Sequence, residues 1–96
     1  MKRNFSNSSF LFRTIMFTVY IIYSKKLDRY YVGYTNDLQR RLSEHNRIKR
    51  KFTDTGIPWS VVYTEVFNSR MDAIKRERFI KAKKSKQLII DLIDKR

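Results

Sequence analysis

Five side chains in this 96-residue sequence have types and spacings that could do chemistry together. Arg41 and His45 stand four apart, which on a helix sets them side by side. At about 100° per residue, Leu38, Leu42 and Ile48 define the inward sector of that helix, and both polar residues fall inside it. An unpaired buried guanidinium is costly, so an anion is expected beside Arg41. A structural ion pair with a satisfied core histidine is the plain alternative. Glu77 repeats the anomaly with the opposite sign. It follows Ala73 and Ile74 and precedes Ile80 at helical spacing, so a carboxylate projects inward from a lysine-crowded helix. It could pair with Arg41 or hold a hard divalent cation through oxygen. Tyr20 and Tyr31 lie on two strands of one hairpin. With an even number of unpaired loop residues they share a face, directly opposite or one step diagonal. Gly33, on that same face, would let something approach the backbone; packing alone also accounts for any one tyrosine.

The charge balance points to the kind of partner. Twenty-two Lys and Arg against nine Asp and Glu give a net charge of +13, and such a surplus calls for a polyanion. Arg47, Lys49, Arg50 and Lys51 follow the first helix, while Lys75, Arg76, Arg78, Lys81, Lys83, Lys84 and Lys86 crowd the second. These clusters suit a phosphate backbone, bound without regard to sequence through counterion release; a solvated charged face is the alternative. The sequence has no cysteine, which excludes disulfides, thiolate zinc sites and cysteine nucleophiles. With two glycines and no GxxxxGK[ST] or GxGxxG run, a nucleotide cofactor is not expected. The longest apolar stretch, Ile15 to Tyr23, is about half of the ~20 residues a spanning helix needs. No membrane association and a cytoplasmic location are therefore expected.

Hydrophobic residues at 42% and charged residues at 32% suit one small globular domain. Phe17 to Ser24 and Tyr30 to Thr35 read as strands of a β-hairpin around a short polar turn. Asn36 can cap a helix from Leu38 to about Lys49, with Gln39 at the capping-box position. Arg50 to Pro58 reads as a loop. Trp59 to Phe67 is a third strand, with Val61, Tyr63 and Phe67 on one side and Val62, Thr64 and Val66 on the other. Ser69 and Asp72 open a helix from Arg70 to about Lys83, and Ser85 starts a last amphipathic helix bearing Leu88, Ile89, Leu92 and Ile93. The expected fold is α/β: a small three-stranded, mainly antiparallel sheet flanked by helices, in the order β-β-α-β-α-α. Residues 17–94 form the domain. Residues 1–16 read as a flexible leader; a targeting peptide has a similar composition, and Met16 offers an alternative start.

Taken in order, Thr18-Val19-Tyr20, Tyr31-Val32-Gly33 with the tyrosines eleven apart, Arg41 and His45, then Glu77 form a specific pattern. The chain resembles the GIY-YIG nuclease domain from Phe17 to about Ile93, closest to its small standalone bacterial members. Tyr30 to Asn46 and Ser69 to Lys86 match that group almost position by position. Thr18 stands where the first triplet has glycine, and the loop Arg47 to Thr55 lacks the glycines its relatives often carry.

The resemblance implies an endonuclease that hydrolyses phosphodiester bonds in nucleic acid, most simply DNA, in repair or recombination, with one Mg²⁺ or Mn²⁺. Glu77 would ligate the ion and Arg41 would neutralise charge growing on the phosphoryl group. Tyr20 would aim or deprotonate the attacking water, Tyr31 would position the phosphate or relay that proton, and His45 would shuttle it. A free phenol is a poor base, so the metal and Arg41 would have to lower the pKa of Tyr20. No second module reads bases, so intrinsic sequence specificity should be low. Arg47, Lys49, Arg50, Lys51, Lys75, Lys81 and Lys84 would hold the backbone. The alternatives are a non-catalytic phosphate clamp on DNA or RNA, and a basic protein docked on ribosomal RNA.

Overall fold

The computed structural model describes residues 16–95. The expected leader lies outside the described residues, apart from Met16. Phe17–Ser24 (β1) and Arg29–Thr35 (β2) form the hairpin, and Trp59–Phe67 (β3) joins the other edge of β1. The sheet is antiparallel throughout, in the order β2-β1-β3. Leu38–His45 (α1) follows β2, and Arg70–Lys83 (α2) and Lys86–Asp94 (α3) follow β3. This is the expected α/β architecture. No described helix is long and apolar enough to cross a membrane.

Because β1 is central, its two-residue alternation divides the core. Phe17, Val19 and Ile21 face α2 and α3, where they meet Val32, Tyr63, Ala73 and Ile80. Tyr20 and Ile22 point the other way and, with Trp59, pack against Leu38 and Leu42 of α1. Ser24 pairs with Arg29, which leaves the even number of turn residues that the shared-face argument requires. Tyr20 therefore lies opposite Gly33, and Ile22 opposite Tyr31, so the two tyrosines are one step diagonal on the α1 face.

Three local expectations are overturned. Along β3, Val61 does not share a face with Tyr63: Ile21 pairs with Tyr63 and Ile22 with Val61, so Val62 is an extra residue in a bulge. Val61 consequently joins the α1 side and Tyr63 the α2/α3 side. At the start of α1 the cap is Asp37 rather than Asn36. The Asp37 carboxylate accepts the Arg40 N–H at 3.1 Å, and the Thr35 hydroxyl accepts the Asp37 N–H at 3.0 Å. That frame removes Gln39 from the capping-box position. The same helix stops at His45, short of Lys49. Asn46 ends it by turning its amide to β3, donating to the Trp59 carbonyl at 3.0 Å and accepting the Trp59 N–H at 2.6 Å. Ile48 falls beyond the helix and is 78% exposed, so it has no part in the inward sector.

The caps of the later helices match expectation, with Ser69 accepting from Asp72 and Ser85 from Leu88. The stretch read as a loop contains a 3-10 turn, Phe52–Gly56. One Asp54 carboxylate oxygen organises the turn's approach by accepting the backbone N–H groups of Lys49, Arg50 and Lys51, at 2.8, 2.5 and 3.2 Å.

Candidate active site

A cleft of about 200 Å³ opens at the β2 edge of the sheet, and Tyr20, Tyr31, Gly33, Arg41, His45 and Glu77 all line it. All five candidate catalytic side chains thus meet in one place. Three local causes deliver them. Strand alternation turns Tyr20 and Tyr31 to the α1 face. Four-residue helical spacing brings Arg41 and His45 along α1 toward them. Glu77 comes from α2 between the two buried anchors of that helix, Ala73 and Ile80.

Tyr20 is 2% exposed and its ring packs closely against Gly33. A Cβ at position 33 would sit 2.6 Å from the Tyr20 hydroxyl oxygen, so the close approach foreseen at this glycine is made by Tyr20 itself. The Tyr20 hydroxyl is 3.1 Å from His45 Nε2. Tyr31 also meets this imidazole edge-on, with ring centroids 5.1 Å apart. One histidine therefore touches both tyrosines.

The electrostatics of the cleft are set mainly by burial and by Arg41. Burial raises the Tyr20 pKa above that of a free phenol; Arg41 pulls the other way and does not overcome it. The lowering expected of Arg41 at Tyr20 is therefore insufficient alone. Burial, then Arg41 and Lys49, lower the His45 pKa and favour neutral imidazole. Arg41 is 44% exposed rather than buried, and its guanidinium pairs with Glu44 at 3.2 Å instead of with Glu77. That bond is the main reason its pKa rises and the Glu44 carboxyl's falls. Glu77 is 15% exposed and pairs with Lys81 at 3.1 Å. Lys81 in turn sits 5.9 Å from the Tyr31 ring centroid.

The expected backbone-binding cations divide by place. Arg47, Lys49 and Lys51 border a depression of about 220 Å³ that shares Arg41 and His45 with the cleft. Arg47, Arg50 and Lys51 are exposed, whereas the Lys49 ammonium is engaged by the carbonyls of Glu44 and Arg47 at 2.6 and 2.9 Å. Lys81 and Lys84 line a groove of about 400 Å³ that also contains Tyr31. Lys75 is exposed on α2 and lines neither. Sequence reasoning passed over Arg40 and Arg70, which join Arg41 around a polar hollow of about 220 Å³. Their only signal was positive charge, shared with twenty other residues.

For a divalent ion, the cleft offers the Glu77 carboxylate as a hard oxygen donor. Among the described residues, no group of three His, Cys, Asp or Glu side chains is arranged to hold a metal by itself. The donor set fits Mg²⁺ or Mn²⁺ bound through one carboxylate, because such ions keep several waters and take phosphate oxygens from substrate.

Comparison with known proteins agrees with this geometry. The GIY-YIG catalytic domain matches residues 16–89. UPF0213 protein SAG0778 of Streptococcus agalactiae is 43% identical over 54 residues, which is 55% of this chain and 61% of that protein. The UPF0213 protein of Streptococcus pneumoniae is 41% identical over 59 residues, 60% of each chain. A UPF0213 protein of Halobacterium salinarum is 45% identical over 53 residues, 54% of this chain and 69% of that one. The alignment thus spans about three fifths of the length of the Streptococcus relatives. No solved structure matches the chain. With most of its residues inside the matched domain and the tyrosines of both triplets lining one cleft, the chain belongs to the GIY-YIG family.

Proposed function

We propose that the protein is a metal-dependent endonuclease that hydrolyses phosphodiester bonds in DNA with low intrinsic sequence specificity. The observation that carries this reading is the convergence of Tyr20, Tyr31, Arg41, His45 and Glu77 on one cleft. The scissile phosphate lies between Arg41 and Tyr31. Arg41, still 44% exposed, offers donors to the non-bridging oxygens and stabilises charge that grows as the attacking water bonds to phosphorus. Tyr20 aims that water. Its raised pKa makes it a poor base unaided, but the neighbouring His45 is held neutral and can accept a proton. As the water gives its proton to the Tyr20 oxygen, Tyr20 gives its own to His45 Nε2, and the phosphorus–oxygen bond to the leaving strand breaks. Glu77 holds one Mg²⁺ or Mn²⁺, which when bound supplies Lewis-acid stabilisation of the phosphate charge.

A plasmid-nicking assay with Mg²⁺, Mn²⁺ or EDTA, run beside Glu77→Ala, tests this reading. Nicking should require the metal and vanish in the variant, while salt-sensitive DNA binding persists. Cleavage that survives EDTA or the loss of Glu77 removes the metal role. One observation favours a non-catalytic phosphate clamp: Lys81 neutralises Glu77, so the acid repels phosphate less than its charge alone suggests. A clamp would bind DNA with the same salt dependence and cut nothing under any metal.

A further inference from the structure

The two most exposed large apolar side chains among the described residues are Ile48 at 78% and Phe52 at 67%, and they bracket Lys49-Arg50-Lys51 in the sequence. Scattered surface hydrophobics are ordinary. This pair differs in how it is mounted. The Asp54 carboxylate ties down the three intervening backbone N–H groups. Lys49 clasps the carbonyls of Glu44 and Arg47, and the Trp59 indole N–H donates to the Thr53 carbonyl at 3.1 Å. The segment is thus fastened to α1 and β3, and Arg50 holds a positive φ of 60° within it. Burial does not explain the mounting, because the two apolar side chains it presents stay in solvent.

Resting on the nuclease reading, we propose that Ile48 and Phe52 form a wedge that enters the base stack of a bound duplex beside the cleft. Two features select nucleic acid as the occupant. Arg47, Arg50 and Lys51, all exposed, neighbour the two apolar residues in the chain and supply charge that suits the phosphates of an opened base step. The depression bordered by Arg47, Lys49 and Lys51 is continuous with the cleft through Arg41 and His45. Apolar side chains inserted between base pairs unstack them and kink the duplex by about 20–90°. A kink beside the cleft would bring the backbone of an otherwise stiff duplex toward Arg41.

The test uses the full chain carrying Glu77→Ala, so that the strand stays intact, and a DNA duplex containing 2-aminopurine. Binding is followed by anisotropy and unstacking by 2-aminopurine fluorescence. Binding should raise the fluorescence. Ile48→Ser and Phe52→Ala should each reduce that rise, and the double variant should abolish it while keeping the affinity within a fewfold and the salt dependence unchanged. Met71→Ala, at another exposed apolar position, should leave the rise intact. Binding without a rise, or a rise that survives the double variant, overturns the wedge and leaves the nuclease reading standing. Absence of any duplex binding by the full chain overturns the nuclease reading as well.

Discussion

On the face of the sheet that carries α2 and α3, the inner layer is Phe17, Val19, Ile21, Val32 and Tyr63, closed by Ala73 and Ile80. On the face that carries α1, the corresponding layer is thinner: Tyr20, Ile22 and Trp59, with Leu38 and Leu42 only partly buried above them. The second face also holds an imidazole and the Asn46 amide, which have no counterpart in the first layer. Apolar area removed from water is what stabilises so small a domain. The α2/α3 face therefore carries most of the stability and leaves the α1 face able to keep polar groups open to a cleft. Both faces hang on one strand, whose odd residues point to one side and whose even residues point to the other.

Variants along β1 and β2 can break this division, and the largest effect should come from Ile21→Ala. Ile21 is fully buried, and removing its side chain should cost about 2–5 kcal/mol in urea unfolding. Nicking per folded molecule should be retained. A smaller loss should follow Gly33→Ala, because the new methyl would meet the Tyr20 hydroxyl oxygen at 2.6 Å and the adjacent ring carbon at 2.7 Å. Overpacking of this kind costs about 1–3 kcal/mol. Since Tyr20 is the side chain displaced, nicking should fall further than stability accounts for. Equal losses of activity per folded molecule in the two variants would erase the distinction between the faces.

The same strands show what could be read from the sequence. The limits of β1, β3 and α2 were legible because dense β-branched and aromatic runs ended at polar turns, and because Ser69 is an unambiguous cap. The ends of α1 were not. Asn36 and Asp37 are adjacent and equally able to cap, and Thr35 decides between them by a hydrogen bond. The far end of α1 depends on Asn46 reaching Trp59, thirteen residues away, and no periodicity carries that information. Ile48 was misplaced for this reason. The bulge was equally hidden, since Val61 and Val62 are the same residue and only the pairing with β1 tells them apart. The five candidate residues do line one cleft; Arg41, His45 and Glu77 stood out as polar groups at inward helical positions, and Tyr20 and Tyr31 through the hairpin register. Arg41 reaches the cleft as expected, but it is exposed rather than buried.

Tyr20→Phe isolates function on the α1 face. It removes one hydrogen bond to His45 and leaves the ring against Gly33, so stability should change by no more than about 1 kcal/mol. Nicking should fall by about 10²–10⁴-fold if the hydroxyl moves a proton. A stability loss as large as that of Ile21→Ala would mean that Tyr20 is chiefly a core residue. Unaltered nicking would take the phenol out of the chemistry.

The smallest effect is expected from titration of His45, and it is the one that links the site back to the fold. Burial, then Arg41 and Lys49, hold its folded pKa below the usual value, while Glu44 opposes them. In the window between the folded and unfolded pKa values the unfolded chain binds more protons, so stability rises with pH there. The His45 contribution is fully present above about pH 6.5, the unfolded value, and is lost as pH falls toward the folded one. The lowered Asp28, Glu44 and Asp54 carboxyls also favour the fold at higher pH, so their loss adds to the decline at the acid end, and the His45 variant separates the two contributions. Urea midpoints measured from about pH 8 to 5 should therefore decline below 6.5 in the native sequence and stay flatter in His45→Gln. A native midpoint that rises on acidification would mean that a carboxylate, not burial and Arg41, governs the imidazole. The α1 face would then be organised by an ion pair, as a structural rather than a chemical arrangement of these residues requires.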